Sequence, residues 1–280
     1  MITVTYDSDG IKVSIGDISK YNKNLPLKLN IKKHVSGEIQ WSSNLGDNWF
    51  ATYPNTEMFD VEILDSRGLV VYTKKWDIIE HGNHFYKSLW TYNKSLLSNG
   101  KFPTGLVIGT HDGEFGEWVP SVQNRQCKVV LVEASDNQYS KLKENYCKNS
   151  LVKTVQNIIT PNGGEVEFFE GGAGYTNTVV ESVIKHWETE EIHSTKKSSI
   201  AITDLILSEC NGKIDWLHLD VEGLDAQLIM GIDENKVSLP DFIIFEDYNL
   251  SQDKKDEIYN WLKNRGFELK SEGGICEAIR

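Results

Sequence analysis

The chain has 280 residues, 39% of them hydrophobic and 25% charged, an ordinary balance for a soluble protein with one large or two modest domains, each able to bury a core. Its net charge of −12 lies wholly beyond residue 100, since the first hundred residues are neutral in sum; an acidic second half repels phosphate backbones and argues against a nucleic-acid partner. No apolar run is long enough to span a bilayer, and the N-terminus MITVTYDSDG lacks the basic and apolar regions of a signal peptide, so a cytoplasmic protein with no membrane partner is expected.

Residues 1–98 read as a small, β-rich domain. Ile2, Val4 and Tyr6, then Ile11, Val13 and Ile15, then Leu25, Leu27, Leu29 and Ile31 alternate with polar residues, the period of half-buried strands. Phe59, Val61 and Ile63 alternate too, and the turn Asp65-Ser66-Arg67-Gly68 leads into Leu69–Tyr72, which predicts a hairpin over 58–73. Trp41, Trp49, Trp76 and Trp90 fall here with Phe50, Tyr53, Phe85 and Tyr86; they suit a small core filled with large side chains better than a sugar-stacking face. Helical apolar spacing over 84–97 stops at Ser98-Asn99-Gly100, where the domain boundary is placed.

Residues 99–280 alternate strands with helices, the signature of a doubly wound α/β sheet whose ligands sit beyond the carboxyl ends of the strands. Leu106–Ile108 read as a buried strand, Gly109 and Gly113 bracket a turn, and Glu114–Val119 is helical in pattern. Val129–Val132 form the next strand, ending at Glu133; Ser135 can cap a helix running to about Asn149 with Tyr139, Leu142 and Tyr146 on one face. Leu151–Ile159 read as a third strand, Pro161-Asn162-Gly163-Gly164 as a turn, and Val166–Phe169 as a short strand. Residues 171–197 carry an amphipathic piece around Val179–Trp187 and then a polar loop, a segment suited to a lid, an acceptor pocket or a surface insertion. Thr203 is a candidate cap for a helix over Asp204–Glu209, Ile214–Leu219 a strand ending at Asp220, Leu224–Met230 a helix, and Phe242–Phe245 a strand ending at Glu246. Ser251 opens a helix to about Asn264, and Phe267–Leu269 with Ile275–Ile279 look like a closing antiparallel pair. Cys127, Cys147, Cys210 and Cys276 are too scattered for a zinc knuckle or a disulfide framework, so reduced, mostly buried thiols are expected.

The turn after the first strand and the acid after the second outline a nucleoside site, because a carboxylate at that place can accept hydrogen bonds from two ribose hydroxyls. A dinucleotide fingerprint wants Gly-x-Gly-x-x-Gly so that pyrophosphate sits on the helix N-terminus. Here the glycines fall at 109, 113 and 116 with no Gly-x-Gly pair, a wider turn that suits S-adenosylmethionine, which has no phosphate. A nicotinamide-dependent oxidoreductase is the disfavoured enzyme alternative. Gly109, Glu133, Asp220 and Glu246 all fall at strand ends.

Several stretches, in order, resemble the FkbM-type S-adenosylmethionine-dependent methyltransferases over about residues 104–280. VIGTHDGEFG resembles the family's glycine motif, VVLVEAS with YSKLKENY its acid-ended strand and helix, GGEVEFF its hairpin, and ITDLI, LHLDVEGLDAQLIMGI and DFIIFEDY its later strands. The most specific part is Asp220-Val221-Glu222-Gly223 followed by an acid, here Asp225. The resemblance implies a class I methyltransferase (Rossmann-like) fold with a closing antiparallel strand pair, S-adenosyl-L-methionine as cofactor, and methyl transfer, commonly to a hydroxyl of a sugar or secondary metabolite. Cofactor contacts are expected from Gly109, Thr110, His111, Asp112, Gly113, Glu133, Ala134, Ser135 and Asn157. Two positions depart from the family pattern: Val107 replaces an Asp two residues before the first glycine, and His111 replaces an Asn, so His111-Asp112 are read as replacing the lost polar groups.

A hydroxyl acceptor must lose a proton as it attacks the methyl group. Asp220, Glu222 and Glu246 are the candidate catalytic residues; His218, flanked by Leu217 and Leu219, is read rather as a satisfied histidine under the sheet. Oxygen ligands at the strand mouths would suit magnesium or calcium, but no spacing demands a metal and none is assigned. The expected partners are a small-molecule or glycan acceptor and, in a homo-oligomer, a second copy of the chain. The N-terminal domain is expected to be accessory or acceptor-selecting. The non-enzymatic alternative is a glycan-binding β module fused to an inactive α/β nucleoside-binding domain.

Overall fold

The structure is a computed structural model; its described residues are 84–113, 116–171, 177–187 and 192–280, preceded by residue 67 and the strand segments 2–7, 10–15, 27–33, 39–45, 59–64 and 70–76. The chain divides into two compact units, Met1–Trp90 and Thr91–Arg280. The division falls within helix α1 (His84–Ser98), before the 98/99 boundary read from the sequence.

In the first unit β1 (Ile2–Asp7) and β2 (Gly10–Ile15) pair antiparallel, and β3 (Leu27–Lys33), β4 (Ile39–Leu45), β5 (Phe59–Leu64) and β6 (Val70–Trp76) form an antiparallel sheet ordered β4-β3-β5-β6. The packing of Trp41, Trp49 and Trp76 lies outside the described residues.

The second unit is built on a seven-stranded sheet. Its parallel strands are β7 (Thr104–Ile108), β8 (Lys128–Glu133), β9 (Val152–Gln156), β14 (Trp216–Leu219) and β15 (Phe242–Glu246), and an antiparallel pair, β16 (Glu268–Glu272) and β17 (Ile275–Ile279), closes one side. The order β16-β17-β15-β14-β7-β8-β9 is the doubly wound sheet with a closing antiparallel pair expected of a class I methyltransferase. Leu106, Val107, Leu131, Val132, Leu217, Ile243 and Phe245 are fully enclosed, which is why these strands read as continuous apolar runs instead of alternating ones. The sheet winds outward from β7 in both directions, toward β8 and toward β14, so its switch point lies at the carboxyl ends of β7 and β14.

Helices α2 (Val119–Gln123), α3 (Asp136–Tyr146), α5 (Ile202–Cys210), α6 (Asp225–Met230) and α7 (Gln252–Lys263) connect these strands. A second, four-stranded sheet lies in the β9–α5 segment, with β10 (Ile158–Thr160), β11 (Gly164–Gly171), β12 (Asn177–Thr178) and β13 (Ile192–Ala201) ordered β10-β13-β11-β12, and helix α4 (Glu181–Trp187) between the last two.

Four local expectations change. The single strand over 151–159 is two strands in different sheets, broken at Asn157, whose N–H donates to Glu133 O at 3.1 Å. The polar segment before Ala201 is a ten-residue strand, not a loop: β13 pairs along all of β11, and half of its residues are exposed with only Ser199 buried, so its sequence carries little apolar alternation. Of the helix expected over 114–119, residues 114 and 115 lie outside the described residues; beyond them Gly116 turns the chain at φ +124° and a helix begins at Val119, with Pro120 suited to its first turn. Thr203 does not cap α5; Ala201 holds the N-cap position, and the Thr203 hydroxyl accepts the Asp233 N–H at 2.9 Å. Ser135 and Ser251 do occupy N-cap positions, without a side-chain capping bond. Cys127, Cys210 and Cys276 are buried free thiols and Cys147 an exposed one. Among the described residues no helix is long and apolar enough to cross a membrane.

Candidate active site

At the switch point the chain leaves β7 through Gly109, at φ +84°. A Cβ there would lie 1.7 Å from the Asp220 carbonyl oxygen, so only glycine lets the first turn cross the end of β14 this closely. The Asp220 N–H donates to Ile108 O at 3.0 Å and the Gly109 N–H to Val132 O at 3.0 Å, which ties the mouths of β14, β7 and β8 together. Helix α3 holds the far side of the turn: Asn145 Nδ2 donates to Asp112 O at 2.9 Å and the Tyr146 hydroxyl to Gly113 O at 2.8 Å.

Glu133, 7% exposed at the end of β8, accepts the His111 N–H on Oε2 and the Ser135 N–H on Oε1, both at 2.8 Å. Burial raises its pKa, and these amides oppose the rise. Each oxygen keeps a second lone pair, so the carboxylate is oriented and still able to accept from a ligand.

Above Gly109 and Glu133 lies a cavity of about 250 Å³. With about 30 Å³ per water, that is room for a nucleoside-sized ligand and far more than a trapped solvent molecule needs. Its first wall comes from the main sheet, Gly109, His111, Glu133, Ala134 and Asn157; its second from Phe168, Asn177 and Thr178 of the small sheet; its third from the loop Asp220–Leu224. That loop is fixed from below by Asp225, which is fully buried and accepts the Val221 and Gly223 N–H groups at 3.4 and 3.3 Å. Glu222 adopts a left-handed φ of +54°, a conformation uncommon outside glycine, and Thr178 secures it by donating its hydroxyl to Glu222 O at 3.0 Å.

A second cavity, of about 350 Å³, opens beside the first over the ends of β14, β15 and β17. Glu117, His218, Asp220, Glu246, Tyr248 and Gly274 line it, and Asp220 is the residue shared by both cavities. Asp220 carries accessible surface, which it presents to these two spaces, yet it is surrounded by protein, and burial raises its pKa. Asn249 Nδ2 donates to Glu222 Oε2 and to Glu246 Oε2, both at 2.9 Å, bridging the two acids. Burial, then repulsion from Asp220, pushes Glu222 up to about 8 and Glu246 up to about 7. The two mouths thus crowd acids whose ionisation a neighbouring cation would favour.

All three candidate catalytic acids, Asp220, Glu222 and Glu246, meet here. Of the expected cofactor contacts, Gly109, His111, Glu133, Ala134 and Asn157 line the first cavity. Thr110, Asp112, Gly113 and Ser135 stand behind its wall: Thr110 Oγ1 donates to Val132 O at 3.3 Å, Asp112 Oδ1 lies 3.2 Å from His111 Nδ1, and Ser135 acts through its amide. Val107 is fully buried in β7, away from either cavity, so His111 is the polar side chain of the first turn that reaches the ligand space. Sequence reading gave no site role to Phe168, which it placed only in the GGEVEFF hairpin, or to Asn177 and Thr178, and all three arrive through the small sheet, where β11 pairs with β12.

These features fit S-adenosylmethionine. The glycine crossing admits a ligand close to the backbone, the oriented carboxylate suits a ribose, the acids suit a sulfonium, and among the described residues no lysine or arginine, which a phosphate would call for, lines either cavity.

Comparison with known proteins agrees. Residues 108–269 match the family model described as Methyltransferase FkbM domain, more than half of the chain. No curated protein matches the sequence significantly. Solved structures with a loose likeness include the N-terminal domain of human METTL16 in complex with SAH (11% identity, 69% of this chain, 68% of that chain, TM-score 0.39). Fibrillarin of Aeropyrum pernix with natively bound S-adenosyl-L-methionine (9%, 100% and 99%, 0.36) and precorrin-6y C5,15-methyltransferase of Geobacter metallireducens GS-15 (9%, 66% and 84%, 0.35) are others. Likenesses of this looseness carry no weight beside the family match. A chain with this domain, this sheet and this glycine-and-acid cradle belongs to the FkbM methyltransferases and uses S-adenosylmethionine as its cofactor.

Proposed function

We propose that the protein is an O-methyltransferase whose acceptor is a hydroxyl of a sugar or similar small metabolite, and that the two cavities divide the work. The observation that carries this reading is Asp220, common to a nucleoside-sized cavity and to an acid-lined one over neighbouring strand ends. In the first cavity Glu133 accepts from the ribose hydroxyls, Gly109 forms the floor, Asn157 meets the adenine edge and Phe168 gives it an apolar wall. His111 reaches toward the methionine end. Bound there, the cofactor supplies an electrophilic methyl group.

The chain's own contribution is alignment and charge. Asp220 stands at the junction where acceptor and methyl group meet, and Glu222 and Glu246, bridged by Asn249, accept hydrogen bonds from acceptor hydroxyls and hold them in position. Incubating the protein with methyl-labelled S-adenosylmethionine and a panel of hydroxylated, aminated and carboxylated small molecules tests this. Label should appear as a methyl ether on a hydroxyl compound, and Asp220→Asn should slow transfer at least about 100-fold, the range typical of losing a transition-state contact. Label on nitrogen or carboxyl acceptors alone would refute the O-methyl assignment.

A further inference from the structure

The residues that follow Glu246 at the end of β15 set an exposed aromatic ring on a fixed base. Asp247 is 1% exposed, and its carboxylate accepts from Ser271 Oγ at 2.7 Å, from Lys255 Nζ at 3.3 Å and from the Tyr259 hydroxyl, so β16 and α7 both hold it. The Asp247 and Tyr248 N–H groups donate to Gly274 O at 2.8 and 3.1 Å, which ties this loop to the turn between β16 and β17. On the other side Asn249 is held by Glu222 and Glu246. A Cβ on Gly274 would lie 2.9 Å from Tyr248 Cβ and 3.1 Å from its Cδ2, so the bare backbone there is what lets the tyrosine side chain rest against the turn.

With its backbone fixed and its neighbours anchored, Tyr248 is still 59% exposed. A single exposed aromatic is ordinary on a protein surface. This one lines the second cavity beside Glu246, whereas Phe102 and Leu207, also exposed, line neither cavity. The cavity's volume of about 350 Å³ falls in the range of small-molecule sites, roughly 300–1,000 Å³, which combine aromatic walls with a few placed polar groups. An aromatic ring can cover the C–H-bearing face of a sugar ring, while a carboxylate beside it accepts from hydroxyls at the sugar's edge. An open-chain polyol carries similar hydroxyls, but it must give up rotamer freedom to present such a face.

We infer that the second cavity takes its acceptor as a ring, and that Tyr248 selects it by stacking on the apolar face of a pyranose while Glu246 accepts from the sugar's hydroxyls. This rests on the O-methyltransferase reading above and narrows its acceptor to cyclic sugars. Tyr248 does not line the first cavity, so its loss acts on the acceptor and spares the cofactor.

The test is NMR on protein with isotopically labelled tyrosine rings, saturated with S-adenosylhomocysteine, with Tyr248→Ala assigning the resonance. Methyl β-glucoside, methyl β-galactoside and methyl α-mannoside are titrated in turn, each beside its open-chain alditol. At least one glycoside should shift the Tyr248 ring signals saturably, and its alditol at equal concentration should not. By ligand-observed NMR, the Kd for that glycoside should stay within about twofold in Tyr248→Phe and rise at least about 10-fold in Tyr248→Ala, as expected for loss of a well-placed aromatic contact. Unchanged affinity of both variants for S-adenosylhomocysteine would show that they fold. No shift by any glycoside, equal shifts by glycoside and alditol, or a phenylalanine variant as weak as the alanine one overturns the inference. Failure of the unsubstituted protein to bind S-adenosylhomocysteine would instead count against the methyltransferase reading beneath it.

Discussion

Replacing Gly109 by alanine is expected to destroy cofactor binding. The backbone there is left-handed at φ +84°, and the added Cβ would fall 1.7 Å from the Asp220 carbonyl oxygen and 3.3 Å from Val221 Cγ1. Neither obstacle is the mobile end of a long side chain, so the turn or the end of β14 must move. The strained φ costs about 1–2 kcal/mol by itself, and displacement of the strand mouth adds to it. Because Asp220, Glu133 and the His111 amide are positioned from these same strand ends, the loss should be larger in binding than in stability. Affinity for S-adenosylhomocysteine should fall at least about 100-fold, equivalent to about 2.8 kcal/mol, with a drop in Tm of several degrees. Unchanged affinity would mean that the ligand does not lie over this turn.

A second large effect concerns pH. Glu222 ionises at about 8 instead of its ordinary 4.5, because burial and the neighbouring Asp220 and Glu246 disfavour its charge. Between those values the folded protein binds a proton that the unfolded chain has released, so the contribution to stability is present below about 4.5 and is lost as pH rises through about 8. At full strength the difference is roughly 5 kcal/mol; water in the cavities and sharing of charge among the acids reduce it to about 2 kcal/mol. Glu222→Gln keeps a carbonyl oxygen for Asn249 and removes the charge. The variant should melt about 4–8 °C above the wild type at pH 8.5, given roughly 2–4 °C per kcal/mol for a protein of this size. The two should nearly coincide at pH 5. Parallel melting curves across that range would show that Glu222 is not held in a disfavoured charged state.

The strand ends were the most legible part of the molecule. Leu106–Ile108, Val129–Val132, Leu217–Leu219 and Phe242–Phe245 are enclosed on both faces, so their apolar runs and terminal acids stand out in the sequence, and Gly109, Glu133, Asp220 and Glu246 follow from them. The small sheet was legible only in part: Val166–Phe169 read as a strand, the core of β11, but its partner β13 read as a loop. β13 is a half-exposed strand rich in Ser, Thr and Lys, and its pairing is with distant β11 residues, from Gly171 against Ile192 to Gly164 against Ser199, so no local period announces it. Phe168, Asn177 and Thr178 were therefore invisible as pocket residues. His218 illustrates a different limit: its place in an apolar strand suggested a satisfied histidine, and only the fold shows its partner, Glu117, which lies 101 residues earlier.

The most direct test of the account is calorimetric titration with S-adenosylhomocysteine, with NAD alongside and Glu133→Ala as the comparison. Micromolar affinity for the first and none for NAD is expected. The substitution removes an acceptor that fixes the His111 and Ser135 amides and faces the cavity, so it should weaken binding about 30- to 1,000-fold, or roughly 2–4 kcal/mol. Binding of NAD, or an affinity for S-adenosylhomocysteine indifferent to Glu133, would contradict the site described.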